Sequence, residues 1–227
     1  MPVLLQNALE RLFRRVIFLR SYRAIHFFVA WLRIAIGFAF LPAGLKKILG
    51  QPFTDPSYQG RFHEFLHAFH ATGFFYQFVG GVQLFAAMLL ITNILPFLGG
   101  LILFPVVSTI LVFCWSTSVY PTATVVTLIF CGLLFLLSWE TDVWSQFVPR
   151  IEVKDKIAEK VTRKYWRYCG LGIVTLYFLD FVRRGNVYRP RHPEWNDLSF
   201  VLLVIMALLP FLTMAFELLR SRVNSSS

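Results

Sequence analysis

The sequence lacks charge over its longest apolar stretch. From Phe74 to Trp139 it contains no Asp, Glu, Lys, Arg or His. A soluble helix needs a polar face toward water, and about 20 apolar residues cross a bilayer as a helix, so this stretch predicts several crossings. Over the 227 residues only 15% are charged and 57% are hydrophobic. This composition excludes a disordered chain and an ordinary soluble domain.

Acidic residues and cysteines are also scarce. There are 12 Asp and Glu against 22 Lys and Arg, which gives a formal net charge of +10. Because the basic residues cluster at the ends of apolar segments, we interpret the excess as a topology signal and as contacts to anionic lipid headgroups, and we predict no nucleic-acid partner. The three cysteines, Cys114, Cys131 and Cys169, have no CxxC spacing, which favours inert buried thiols over a redox pair or a metal site.

Six apolar segments predict an all-α, polytopic membrane helix bundle. Pro96 with Gly99 and Gly100 predicts a tight turn between the second and third segments, and Pro121 predicts a break before the fourth. The fifth segment is the weakest, because it is short and contains Asp180. The predicted crossings are about 26–45, 74–95, 101–119, 122–139, 168–182 and 198–219.

The chain divides into five predicted parts. A helix at 1–24 is amphipathic, and it either lies in the membrane interface or packs on the protein's own bundle. A four-helix transmembrane core over 25–145 is followed by a charged cytoplasmic helix at 146–167. Two additional transmembrane helices over 168–220 and a polar tail at 221–227 complete the chain.

The basic residues predict the orientation. Six crossings place both termini on one side of the membrane, and that side carries 14 basic residues against 7 on the other side. Cytoplasmic segments of membrane proteins are enriched in Lys and Arg. We therefore predict that both termini are cytoplasmic.

Arg33 is the residue least suited to a bilayer, because it lies about two turns into the first crossing. A charge at membrane depth costs about 3 kcal/mol on insertion scales and usually faces protein or water. Helical side chains point back toward the helix N-terminus, so three alternatives are open. Arg33 reaches lipid phosphate, pairs with Glu140 or Asp142, or binds a substrate or quinone.

Gln83 lies near the middle of the second crossing, after Gly80 and Gly81. A buried amide at membrane depth needs a hydrogen-bond partner, and small residues beside it allow another helix to approach. Gln83 therefore either bonds a neighbouring helix or contacts a ligand.

The sequence also matches H-E-x-x-H at His63, Glu64 and His67. In zinc hydrolases two such histidines bind the metal from one helix face, and the Glu acts on the bound water. Here, however, phenylalanines form an apolar face beside the histidines, which is typical of a helix at the membrane interface. His70 lies about 10 Å from His63 along a helix axis, so one ion does not take all three histidines. Interfacial or packing histidines are the first interpretation, and a metal site at His63 and His67 is the alternative.

Two motifs mark the first two crossings. Residues 33–50 read RIAIGFAFLPAGLKKILG, and residues 80–83 read GGVQ. This pattern resembles the DoxX-like family of small bacterial integral membrane proteins, whose first helix has an Arg, a Gly-aromatic stretch and a small-Gly-x-x-Lys end. The family's second helix has a similar Gly-x-x-Glu/Gln element. The likeness covers about residues 30–145 and implies a DoxX-like four-helix core, to which this chain adds two C-terminal helices.

The resemblance implies a function in the bacterial inner membrane beside quinone or within a membrane complex. We expect a non-catalytic or accessory subunit without a cofactor, which packs beside other integral membrane proteins and lipids in a larger, redox-linked complex. One alternative is a quinone-linked oxidoreductase subunit in which Arg33 and Gln83 bind quinone and Glu140 or Asp142 passes protons. The other is a metal-binding membrane protein that uses the H-E-x-x-H motif.

Overall fold

The regular structure is helical throughout the described residues, which in this computed structural model are 11, 14–55, 57–140, 143, 163–188 and 197–225. A short helical segment covers 14–19. The longer helices of this part of the chain are α1 (Arg23–Ile48), α2 (Arg61–Ala71), α3 (Phe74–Ile91), α4 (Pro96–Ser116), α5 (Tyr120–Trp139), α6 (Arg163–Arg184) and α7 (Leu198–Ser225). Five of them, α1, α3, α4, α5 and α7, are long and apolar enough to cross a membrane.

Prolines begin two of the helices. The predicted break before the fourth crossing is present, but Pro121 lies after it, in the first turn of α5. The predicted turn at Pro96 to Gly100 is misplaced, because Pro96 lies in the first turn of α4. The first turn of a helix does not use its N–H groups, so it accepts proline readily. The chain turns earlier in both places, at Asn93 with a φ of 52° and at Ser118 with a φ of 58°.

Glycines bring α1 and α3 close together. A Cβ on Gly44 would lie 2.9 Å from the Gly80 carbonyl oxygen, and a Cβ on Gly80 would lie 2.5 Å from the Lys47 Cβ. On α4, a Cβ on Gly99 would lie 2.9 Å from the Ala86 carbonyl oxygen. Membrane helices associate largely by close packing, since lipid tails are as apolar as the side chains. These glycines therefore set the core of the bundle.

α6 packs inside the bundle although its ends are charged. Trp166 and Ile173 are buried, and a Cβ on Gly170 would lie 1.9 Å from the Ile91 carbonyl oxygen at the end of α3. α6 is not among the five helices that are long and apolar enough to cross a membrane, and its last turn contains Arg183 and Arg184. The fifth predicted crossing lies within this helix of 22 residues, which at 1.5 Å per residue is about 33 Å long and matches a hydrocarbon core of about 30 Å.

The bundle has two distinct ends. At one end Arg23 Nη1 donates to Ser221 Oγ over 2.7 Å, which joins the start of α1 to the end of α7; we call it the Arg23 end. At the other end Gln51 Nε2 donates to Asn186 Oδ1 over 3.1 Å. We call it the Lys47 end, because Lys47 lies in the last turn of α1.

The segment 14–19 packs on the Arg23 end. Val16 is buried and belongs to the same apolar cluster as Trp139 of α5, while Arg14 and Arg15 are exposed. Val16 thus packs on the bundle, whereas residues 1–10 of the predicted N-terminal helix lie outside the described residues. Most of the predicted charged helix at 146–167 lies outside the described residues, and its last residues form the first turn of α6.

Candidate functional site

A buried polar cluster joins three elements at the Arg23 end. Arg33 Nη1 donates to Asn93 Oδ1 over 2.9 Å, and Arg33 Nη2 forms an ion pair with Glu140 Oε1. The side chains of Arg33 and Glu140 are 10% and 11% exposed. Of the alternatives left open for Arg33, the structure shows the ion pair with Glu140, whereas Asp142 lies outside the described residues. We call Arg33, Asn93 and Glu140 the Arg33 cluster.

The backbone positions each member of this cluster. Arg33 points toward the start of α1, as helical side chains do, and Glu140 follows the last residue of α5. Asn93 adopts a left-handed conformation, which Asn tolerates better than most residues. Because a guanidinium only donates, the Asn93 oxygen must face Arg33. The Asn93 Nδ2 then lies buried without an acceptor among the described residues.

The Arg33 cluster is suited to holding helices together. Arg33 remains charged under all ordinary conditions, so its burial requires the nearby carboxylate. A buried ion pair adds little net stability, but removal of one partner leaves an unpaired charge and costs about 3–5 kcal/mol. The cluster therefore fixes α1, the α3–α4 turn and the end of α5 relative to one another.

Gln83 is 2% exposed on α3, and its Oε1 accepts no hydrogen bond from the described residues. From the sequence separation, Gln83 lies about 15 Å from Asn93 along the helix axis. The structure therefore places Gln83 apart from the Arg33 cluster. This separation does not suit the quinone alternative, in which Arg33 and Gln83 bind quinone together.

The H-E-x-x-H residues lie on α2, which packs against the Lys47 end. The centre of the Phe65 ring lies 4.4 Å from that of Phe113 at the end of α4. His70 Nε2 lies 2.9 Å from the Gly50 carbonyl oxygen, so this histidine fastens α2 to the loop after α1. The phenylalanine face thus touches α4 but stays partly exposed, since Phe65 is 50% exposed and no residue of α2 is buried.

The other two histidines have separate surroundings. His67 Nε2 lies 3.4 Å from the Tyr58 carbonyl oxygen, and His63 Nδ1 is buried without a hydrogen-bond partner among the described residues. Within the described ranges no group of three His, Cys, Asp or Glu is placed to hold a metal ion. His63 and His67 would therefore need a further ligand, and the residues described here do not provide one.

Lys47 is a polar residue that sequence reasoning missed. It is 7% exposed, and its Nζ lies 4.5 Å from the centre of the Phe53 ring and 5.9 Å from that of Tyr76. An ammonium group over an aromatic face is attracted to the ring electrons. In the sequence Lys47 follows Lys46 at the end of an apolar segment, and this pair is typical of an ordinary helix end.

A second polar network joins α6 to α7 at the Lys47 end. Asp180, which is 6% exposed, accepts from Arg183 over 2.7 Å and from Ser199 Oγ over 2.6 Å. Beside it, Arg184 forms an ion pair with Asp197. Desolvation raises the pKa of Asp197, but the hydrogen bond from the Ser199 N–H and the charge of Arg184 outweigh it and hold this pKa below its usual value. Asp180 within the fifth predicted crossing is therefore paired.

The helices and their buried polar contacts define the class of this protein as a multi-pass helical membrane protein. The chain matches no model of a protein family, no curated protein and no solved structure. The features that bear on function are therefore the bonded and unbonded buried polar groups and the exposed apolar faces of the helices.

Proposed function

We propose that this chain is a DoxX-like, non-catalytic accessory subunit of a larger complex in the cell inner membrane, in the redox setting that the resemblance implies. The proposed architecture is a four-helix core of α1, α3, α4 and α5 with two further crossings, α6 and α7. Both termini are then cytoplasmic, since six crossings return the chain to its starting side. The Arg23 end is the cytoplasmic end in this orientation.

The contacts of the intramembrane charges support a structural role. Arg33 is paired with Glu140, Asp180 accepts from Ser199 Oγ of α7 over 2.6 Å, and Glu217 accepts from Trp166 Nε1 over 3.2 Å. Charged residues at membrane depth are usually functional when they line a water-filled path. Here Arg33, Asp180 and Glu217 bond to other elements of the bundle, which favours packing over catalysis.

The observation that carries the proposal is the uncovered face of α7. Only 17% of its apolar window is buried, against 50% for α1. Ala207 and Ala215 are exposed on α7, and small residues on a membrane helix permit the close approach of another helix. Large apolar residues also lie exposed along this helix: Leu208, Phe211, Leu212, Phe216 and Leu219. A neighbouring transmembrane helix fits this face.

Co-purification with a matched pair of variants tests the proposal. The tagged chain is extracted from native membranes in a mild detergent, and the accompanying proteins are quantified by mass spectrometry. We expect a stoichiometric membrane partner that is lost in Ala207→Phe with Ala215→Phe, because the added rings block close packing. The control, Ala39→Phe, enlarges an exposed alanine on α1 and should keep the partner. Recovery of all three proteins as a lone 26.3 kDa chain would refute the proposal.

One observation supports quinone binding at Gln83 alone, without Arg33. Gln83 Oε1 is buried without a donor among the described residues, and a buried acceptor of this kind is costly unless something bonds to it. A reduced quinone offers a hydroxyl donor. Quinone extracted from the purified protein, measured against protein amount, should then fall in Gln83→Leu. An equal quinone content in Gln83→Leu and the parent protein would remove this alternative.

A further inference from the structure

We infer that the Arg23 end carries a binding surface for the phosphate of anionic phospholipid headgroups. Its members are exposed basic residues from three elements, and we call them the basic rim: Arg14, Arg15, Arg163, Lys164, Arg167 and Arg220. This surface does not depend on the proposed accessory function, since it concerns the lipids around the protein.

The charge on this surface is of one sign. Among the described residues, the carboxylates at the Arg23 end are Glu140 and Glu217, and both are engaged in the interior. Glu140 is bound by Arg33, and Glu217 is 4% exposed. The undescribed residues 1–10, 141–142 and 144–162 contain four basic and five acidic residues, and this difference of one charge does not reverse the excess of the six exposed cations. The exposed positive charge therefore attracts an anionic partner from outside the chain.

Aromatic residues next to the basic rim place it at headgroup depth. Phe18 is 62% exposed and Tyr22 is 50% exposed, next to Arg14 and Arg15. On α6, Tyr168 is 59% exposed, one turn after Lys164. Exposed aromatic rings are enriched where hydrocarbon meets headgroup. Basic side chains beside such rings are long enough to extend to the phosphate layer.

The fold brings the separate parts of the basic rim to one end of the bundle. Val16 is anchored in the same apolar cluster as Trp139, which fixes the segment that carries Arg14 and Arg15. Arg23 binds Ser221 over 2.7 Å, which places the end of α7, with Arg220, beside the start of α1. Trp166 near the start of α6 donates to Glu217 of α7 over 3.2 Å, so the basic residues of α6 lie at the same end.

Lipid retention measures this surface directly. The full chain is placed in mixed micelles with equal phosphatidylglycerol and phosphatidylcholine, and bound lipids are counted by native mass spectrometry. We expect phosphatidylglycerol to be retained preferentially, and the preference to weaken as salt is raised. Replacing Arg14, Arg15, Arg163 and Lys164 by Gln should reduce the preference by up to about fivefold per residue.

Matched controls distinguish lipid binding by the basic rim from a general attraction of lipid to positive charge. Arg61→Gln removes an exposed charge at the Lys47 end and should leave the preference unchanged. If the fourfold variant does not fold, Arg14→Gln with Arg15→Gln is measured alone, with the same expected direction. Equal retention of the two lipids would overturn the inference. The inference would also be overturned if Arg61→Gln lost the phosphatidylglycerol preference equally, or if free inorganic phosphate at millimolar concentration or a co-purified acidic protein displaced the bound lipid.

Discussion

The Arg33–Glu140 ion pair makes the sharpest prediction about stability. Glu140→Gln keeps the shape of the side chain but removes its charge, so Arg33 remains buried without a counter-ion. Because a guanidinium does not lose its proton in proteins, Arg33 has no way to become neutral. We expect Glu140→Gln to lower the free energy of unfolding by about 3–5 kcal/mol.

Removal of the other partner should also destabilise the fold. Arg33→Met leaves the Glu140 carboxylate buried without its cation, so we expect a loss of the same order, about 3–5 kcal/mol. In the double variant no unpaired charge remains, and the main cost is the Asn93 oxygen without its donor, about 1–3 kcal/mol.

Unfolding free energies of the four proteins provide the test. Each is unfolded by SDS titration in mixed micelles while tryptophan fluorescence is followed. The double variant should be at least about 2 kcal/mol more stable than the sum of the two single losses predicts. If the losses simply add, Arg33 and Glu140 do not interact, and the structural role given to the Arg33 cluster is wrong.

The other predictions concern close contacts and unpaired groups. Gly170→Ala should destabilise the protein by about 1–3 kcal/mol, because the added Cβ meets the Ile91 carbonyl oxygen. In the control, Gly172→Ala, the nearest neighbour of the added Cβ is 3.8 Å away, so this variant should be neutral or stabilising. Equal melting temperatures for the two variants would contradict the placement of α6. Asn93→Gly should cost about 1 kcal/mol less than Asn93→Ala, because only the alanine strains a left-handed backbone. Gln83→Leu should raise the melting temperature when no ligand is bound, since it removes an unbonded buried acceptor; a lowered melting temperature would show that Gln83 has a partner.

Much of the fold could be predicted from the sequence, because lipid imposes strong rules. Apolar runs of the right length identified α1, α3, α4, α5 and α7 as helices that can cross a membrane. The helix ends were less predictable. Pro96 and Pro121 were interpreted as breaks, yet each begins a helix, because proline suits a first turn as well as a turn between helices. The local sequence does not distinguish these two uses.

The candidate site was predicted only in part. The cost of a charge at membrane depth singled out Arg33, and its direction along the helix pointed to Glu140. Asn93 was not predicted as a third member, because its role depends on a left-handed turn that only the packed α3–α4 connection creates. Lys47 was missed because the rings that contact it, Phe53 and Tyr76, lie outside its own helix. The spacing of residues along that helix does not indicate such contacts.

Cysteine labelling from one side of the membrane tests the six-crossing bundle most directly. In a variant with Cys114, Cys131 and Cys169 replaced by Ala, single cysteines are introduced at Ser21, Thr72 or Gly185, and a membrane-impermeant maleimide is added to intact cells. We expect label at Thr72 and Gly185 at once, and at Ser21 only after the membrane is permeabilised. If the cysteine at Gly185 is labelled only together with the one at Ser21, α6 does not cross, and the proposed topology is wrong.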